Sequence, residues 1–172
     1  MGILFIFLTF LSLKVLSKSR KFLGALMKRM FALNMVVFTW FYNKAMHLKK
    51  IELFGSLKEH LNDVDGDLLE IGAGTGANFQ FFPDGCSVLV LDPNEHMHTH
   101  LVHSKKYYPN IVLKECIVNS AEDMSQIKDH TVSVVVATLV LCSVESVEQV
   151  LKEIVRVLKP VCTSIKTCMF VH

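Results

Sequence analysis

Three glycines at alternate positions, directly behind a short apolar run, constrain this chain more than anything else in it. Leu68-Leu-Glu-Ile71 reads as a strand, and Glu70, Gly72, Gly74 and Gly76 stand in the pattern E-x-G-x-G-x-G. Without a Cβ the backbone can take positive φ, and a ligand can approach it closely. A dinucleotide fingerprint has its last glycine one residue later, as G-x-G-x-x-G. Position 77 is Ala, so the spacing favours a nucleoside-bearing cofactor other than NAD.

Beyond the turn, strand and helix patterns alternate. Ala77 to Phe82 begins a predicted helix stopped by Pro83. Ser87-Val-Leu-Val-Leu91 is a continuous apolar run of the kind a parallel sheet buries on both faces. Glu95–Tyr107 is expected to be helical, broken by Pro109-Asn110, and Ile111–Val118 and Thr131–Leu141 are the third and fourth strands. Glu145–Leu158 sets Val147, Val150, Leu151, Ile154, Val155 and Leu158 at helical spacing before Pro160. The expectation is an α/β fold, a Rossmann-like and mostly parallel sheet with flanking helices, with ligands taken at the carboxyl ends of the strands. Asp92 closes the second strand twenty residues after Gly72. A carboxylate there can accept both hydroxyls of a ribose, while the plainer alternative is a turn or N-cap aspartate before Pro93.

Charge divides the chain unevenly. Residues 1–51 carry nine Lys/Arg and no acid, Glu52 being the first carboxylate, and the remainder holds nine basic residues against sixteen acidic ones. An acidic body excludes nucleic acid as its natural partner, whereas a leader rich in Phe, Leu, Lys and Arg suits an anionic membrane surface. Gly2–Leu13 is apolar and is followed by Lys14, Lys18, Arg20 and Lys21. That run is shorter than the ~20 residues a spanning helix needs. No basic residue precedes it and no small-residue cleavage pattern follows, so it does not read as a signal peptide. Ile6 also breaks the myristoylation pattern. A second apolar stretch, residues 30–42, contains Trp40 and Tyr42, which suit a membrane interface. Residues 1–42 are therefore expected to form a membrane-embedded leader, either a shallow hairpin or a pair of interfacial helices. The alternative is that residues 30–61 form a helix covering the sheet. The basic residues behind the first run favour a cytosolic body.

The five cysteines (86, 116, 142, 162 and 168) are odd in number and contain no C-x-x-C pair, which argues against a disulfide framework or a zinc site and for a reducing compartment. Cys142, at the end of the fourth strand, reads as a small buried hydrophobe. His96, His100 and His103 share one helix face and His98 stands beside them. With no carboxylate or thiolate at ligand spacing they read as solvent-facing, and no metal is expected.

Together with Leu91-Asp92, Ser120-Ala-Glu-Asp123 and Leu158-Lys-Pro160, the glycine turn resembles that of class I S-adenosylmethionine-dependent methyltransferases. More narrowly, Gly74-Thr-Gly-Ala-Asn-Phe79, Asp92-Pro-Asn94, Ala121-Glu-Asp-Met124 and Thr138-Leu-Val-Leu-Cys-Ser-Val144 are similar to the membrane-associated thiol S-methyltransferases, over residues 1–160. The resemblance implies S-adenosyl-L-methionine as cofactor and a small lipophilic thiol as methyl acceptor. Gly72, Gly74 and Gly76 would leave room for the cofactor's methionine and sugar, and Glu70 would steady the turn or meet the methionine ammonium. Asp92 would hold the ribose and is the one residue given a catalytic part, through the cofactor site. Glu122, or Asp123 beside it, would lie near the adenine amine; the alternative is a solvated acidic loop. Membrane lipid would be met through residues 1–42, with a monomeric protein at the cytosolic face of the endoplasmic reticulum membrane or on lipid droplets.

The resulting division is a leader at 1–42, an S-adenosylmethionine-binding domain at 43–160 and a divergent tail at 161–172. The paired glycines that family members carry after Lys-Pro are absent from Val161–His172. The expectation is an incomplete fold lacking its final strands, with the Val-rich fourth strand left as an unpaired edge. Two further readings stay open: a non-catalytic membrane or lipid-droplet protein that retains a cofactor-binding half, and a nicotinamide oxidoreductase, which the position of Gly76 disfavours.

Overall fold

The computed structural model describes residues 2–55, 57, 61, 66–160 and 168–171, with side chains for those between 22 and 160 other than Ala25. Residues 161–167 and 172 of the expected tail, Cys162 among them, lie outside the described residues, as do the side chains of the first apolar run.

Helix α1 (Gly2–Gly55) is one continuous element of 54 residues, about 80 Å long at 1.5 Å per residue. The hairpin or helix pair expected for residues 1–42 is therefore corrected to a single rod. The physical reason is the absence of a breaker: the first proline is Pro83, and Gly24 is the only glycine between Gly2 and Gly55. A lone interior glycine costs a helix only about 1 kcal/mol. The helix also runs through the boundary drawn after residue 42, and its last turns pack on the body. Phe54 is buried there, as is Leu57 just beyond.

The sheet is formed by β1 (Asp67–Ile71), β2 (Ser87–Leu91), β3 (Val112–Ile117), β4 (Val132–Thr138) and β5 (Cys168–Val171), in the order β3-β2-β1-β4-β5. Every neighbouring pair is parallel. Leu69 of β1 faces Leu89 of β2 and Val135 of β4 across the ladders, so the central strand is enclosed on both sides. Side chains alternate between the two faces of the sheet. Leu69, Ile71, Leu89, Val135 and Ala137 pack with Val150, Ile154 and Val157 of α3 (Val147–Val157). Leu68, Val88, Val90, Val134 and Val136 pack on the other face with Phe54, Phe79, Phe82 and Leu101, the last from α2 (Glu95–Lys105). Helix α2 is capped by Asn94, whose side chain accepts from the His96 N–H, and α3 by Ser146, which accepts from the Gln149 N–H.

Two local expectations are revised. The helix predicted from Ala77 is reduced to a single 3-10 turn, Phe79–Phe81, because its aromatic residues turn into the packing beneath the end of α1: Phe54 stacks on Phe81 at 5.6 Å and tilts against Phe82 at 5.9 Å. The fourth strand is not an open edge. Val135–Thr138 pair in register with Cys168–Val171, so part of the divergent tail supplies the strand that covers it.

Candidate functional site

The carboxyl ends of β1, β2 and β3 lie side by side, and the order of strands reverses next to them, between β1 and β4. Gly72, Gly74 and Gly76 all lie in the left-handed region, at φ 64°, 54° and 76°, which L-residues with a Cβ rarely adopt. Their surroundings differ. A Cβ on Gly72 would stand 2.7 Å from the Val140 side chain, and one on Gly76 2.7 Å from the Phe79 ring. At Gly74 the only neighbour within reach among the described residues is the Gly72 carbonyl at 3.9 Å. The outer glycines are thus packed, and the middle one opens outward.

It opens onto a shallow crevice lined by Gly74, Asp92, Asn94, Met97, His98 and Ile117. Asp92 is half-buried and accepts at one oxygen from the Gly74 N–H (2.9 Å) and at the other from the Asn94 N–H (2.8 Å). Burial pushes its carboxyl above the ordinary value, against the pull of those two N–H groups. Each oxygen keeps a second acceptor position, so the carboxylate can fix the turn and still receive a hydroxyl.

Glu70 lies beneath the turn and is only 2% exposed. Its Oε1 accepts from the Asn78 side-chain amide at 2.7 Å, and Oε2 is buried with no hydrogen-bond partner among the described residues. Burial pushes its pKa up to about 8, with the Asn78 hydrogen bond and the Lys50 ammonium pulling the other way. An orphaned buried carboxylate oxygen beside a cradle of bare backbone fits a ligand carrying both an ammonium and a sugar.

Glu122 is engaged elsewhere. It accepts from the Ser120 hydroxyl and from the Glu145 N–H at 2.6 Å and the Ser146 N–H, tying the loop after β3 to the start of α3. These donors hold its carboxyl below the ordinary value, the Ser120 hydroxyl most strongly. Asp123 accepts from the side chain of Asn119 and from the Ser125 N–H. The structure therefore joins Gly74 to Asp92 directly and Glu70 to the turn through Asn78, and sets Glu122 apart from that network.

Cys142 is exposed rather than buried, correcting the sequence expectation. It follows Leu139, whose φ of 54° turns the chain outward after β4 and carries the thiol off the core. A leucine in the left-handed region is an outlier of the kind concentrated near functional edges, and its neighbour Val140 seals Gly72. His98 is exposed, as the reading of the histidines as solvent-facing expects, and borders the crevice, whereas His96 departs from that reading, its Nε2 being buried. Asn78, Thr138 and Lys50 were missed as well. Asn78 donates to Glu70 and to Thr138 Oγ1 at 3.0 Å, and the only hint of this in the sequence is its place two residues after Gly76.

A parallel sheet of this order, with a glycine cradle after β1 meeting an acid at the end of the neighbouring β2, defines a Rossmann-like protein built for a nucleoside-bearing ligand. The family described as "Methyltransferase domain" matches residues 69–163, and the chain belongs to it. It is 43% identical to human thiol S-methyltransferase TMT1A over 134 residues, covering 77% of this chain and 55% of that protein. Identity to human thiol S-methyltransferase TMT1B is 46% over 137 residues, covering 78% and 56%. The chain thus spans about half the length of these curated relatives. Among solved structures, a Methanococcus maripaludis protein assigned to the S-adenosyl-L-methionine-dependent methyltransferases superposes with a TM-score of 0.54 at 20% identity, covering 76% of this chain and 59% of that one, a likeness of fold.

Proposed function

We propose that this protein is a methyltransferase that uses S-adenosyl-L-methionine to methylate small lipophilic thiols at a membrane surface. The observation that carries the reading is the Gly74–Asp92 pairing at the mouth of the crevice, in a chain belonging to the methyltransferase domain family and similar to two thiol S-methyltransferases. Asp92 receives the ribose hydroxyls on its remaining acceptor positions, Gly74 lets the sugar and methionine lie against backbone, and Glu70 Oε2 takes the methionine ammonium. Glu122 belongs to the adenine end, through the loop it ties down.

When bound, the cofactor would supply an electrophilic methyl carbon on a sulfonium, with a neutral thioether as its leaving group. A free thiol has a pKa of about 8.5, so the acceptor reacts as thiolate after its proton leaves to solvent. The protein's contribution would be positioning, with Gly74, Asp92 and Glu70 holding the cofactor. Asp92 serves the reaction by holding the cofactor.

Helix α1 supports the membrane part of the reading. Phe22, Leu23, Met27, Leu33, Val37 and Trp40 are all exposed, and the most apolar 18 residues within Phe22–Gly55 have a mean hydropathy of 1.4 and are 6% buried. A run of exposed apolar and aromatic side chains along much of a helix suits lipid. Its flanking lysines and arginines favour the cytosolic face of an internal membrane, the endoplasmic reticulum or a lipid droplet. The test is methyl transfer from radiolabelled S-adenosyl-L-methionine to an alkyl thiol by detergent-solubilised chain. Turnover is expected, with at least about a tenfold loss in Asp92→Asn, the order expected when a charged hydrogen-bond acceptor is neutralised. Unchanged turnover in the variant removes Asp92 from the site. Binding of S-adenosylhomocysteine without transfer would support the second reading, a non-catalytic membrane protein that keeps the cofactor site.

A further inference from the structure

Helix α1 does more than reach away from the body. Lys50 is fully buried, which is rare for a lysine. Its ammonium donates to Asn78 Oδ1 at 2.7 Å and to Asn43 Oδ1 at 2.8 Å. It also lies 5.0 Å from the centre of the Tyr42 ring and 5.7 Å from that of Phe81, a distance at which aromatic faces attract cations. Asn43, two turns earlier on the same helix, donates its amide to the Ala77 carbonyl at 2.8 Å. The helix therefore grips Ala77 and Asn78, the two residues that leave the glycine turn, from one side chain each. Farther along, the Asn94 amide donates to the Lys28 carbonyl at 3.3 Å, so α1 also meets the residue that caps α2 beside Asp92.

Asn78 has one amide and Lys50 decides how it is used. With its carbonyl oxygen taken by the ammonium, its NH₂ must face inward, where it meets Glu70 and Thr138. Were Asn78 turned over, its NH₂ would face the ammonium, a donor against a donor in a buried site, and the ammonium would lose its acceptor. We propose that Lys50 is a positioning residue of the cofactor site: it orients Asn78, through it the Glu70 carboxylate, and thereby makes the leader helix a structural part of the pocket. The inference rests on the cofactor reading given above.

The test uses the full chain in lipid nanodiscs, with S-adenosylhomocysteine affinity measured by calorimetry as a function of pH. Lys50→Met keeps most of the apolar stem and removes the charge; affinity is expected to fall at least about tenfold, the order expected for losing a charged hydrogen bond. A second readout separates positioning from general loosening. Glu70 faces the Lys50 ammonium from α1, the Asp92 carboxylate from β2 and the neutral Asn78 and Thr138 side chains. Without the ammonium its inflection in the pH profile of affinity moves upward. An affinity within twofold of the parent, or an unmoved inflection, overturns the inference. Should Lys50→Met fail to fold, Asn43→Ala decides, since it leaves the ammonium in place and removes one acceptor: a several-fold loss supports the proposal and an affinity within twofold overturns it. A parent chain that binds no S-adenosylhomocysteine ends the cofactor reading itself, whereas a binding parent with an indifferent variant ends only this inference.

Discussion

Gly74 and Gly76 have nearly the same backbone and opposite reasons for lacking a side chain. At Gly76 an added methyl would collide with the Phe79 ring at 2.7 Å as well as strain a φ of 76°, so Gly76→Ala is expected to destabilise the fold by about 1–3 kcal/mol. At Gly74 the methyl would enter the crevice. Gly74→Ala is therefore expected to weaken S-adenosylhomocysteine binding more than it lowers the melting temperature. Melting curves and titrations of both variants check the contrast, and equal profiles would refute it. Glu70 makes a separate prediction. Its folded-state pKa of about 8 lies above the ordinary 4.5, so between those values the folded chain binds a proton that the unfolded chain has released. Stability then falls as pH rises through that window, and Asp92, also shifted upward, adds to the trend. Glu70→Gln should flatten the decline in melting temperature between about pH 5 and pH 8. Parallel curves for parent and variant would exclude Glu70 as its source.

The elements were legible to different degrees, for physical reasons that can be named. Ser87–Leu91 and Val132–Thr138 announce themselves because strands buried on both faces have to be continuously apolar. The turn was legible because left-handed backbone at three positions needs glycine. Asp92 was legible from its distance along the chain, and its contact with Gly74 follows from β1 and β2 being neighbours. Lys50 was not. One lysine among nine basic residues of a leader looks solvated, and nothing local pairs it with Asn78, 28 positions away. The tail strand was hidden by its departure from the family pattern, although Cys168–Val171 is short and apolar. The continuity of α1 was obscured by its charge pattern, since Lys14–Lys21 and Lys28-Arg29 look like breaks while charge does not interrupt helical hydrogen bonding. That continuity bears on the membrane reading. Residues 1–42 fused to a soluble reporter should carry it to membranes, and a chain starting at residue 43 should leave the membrane fraction while keeping Asn43 and Lys50. Flotation on a density gradient measures both, and a truncated chain that still floats with lipid would place the attachment elsewhere.

At the scale of the whole molecule, the charge asymmetry coincides with a division of surroundings. The exposed aromatic and aliphatic side chains from Phe22 to Phe41 occupy the middle of α1, and the acidic body packs on its last turns at Lys50 and Phe54. Every ladder in the body joins strands running the same way, which no tight hairpin can connect. Asp67 and Leu68 in the central strand find partners in Val132 and Val134, so the middle of the sheet cannot close until most of the polypeptide exists. Such distant pairings are slow to form. On the ribosome the amino-terminal rod emerges long before the residues that complete the core. During synthesis it is the part of the protein first free to choose its surroundings, while the nascent sheet still waits for its other half.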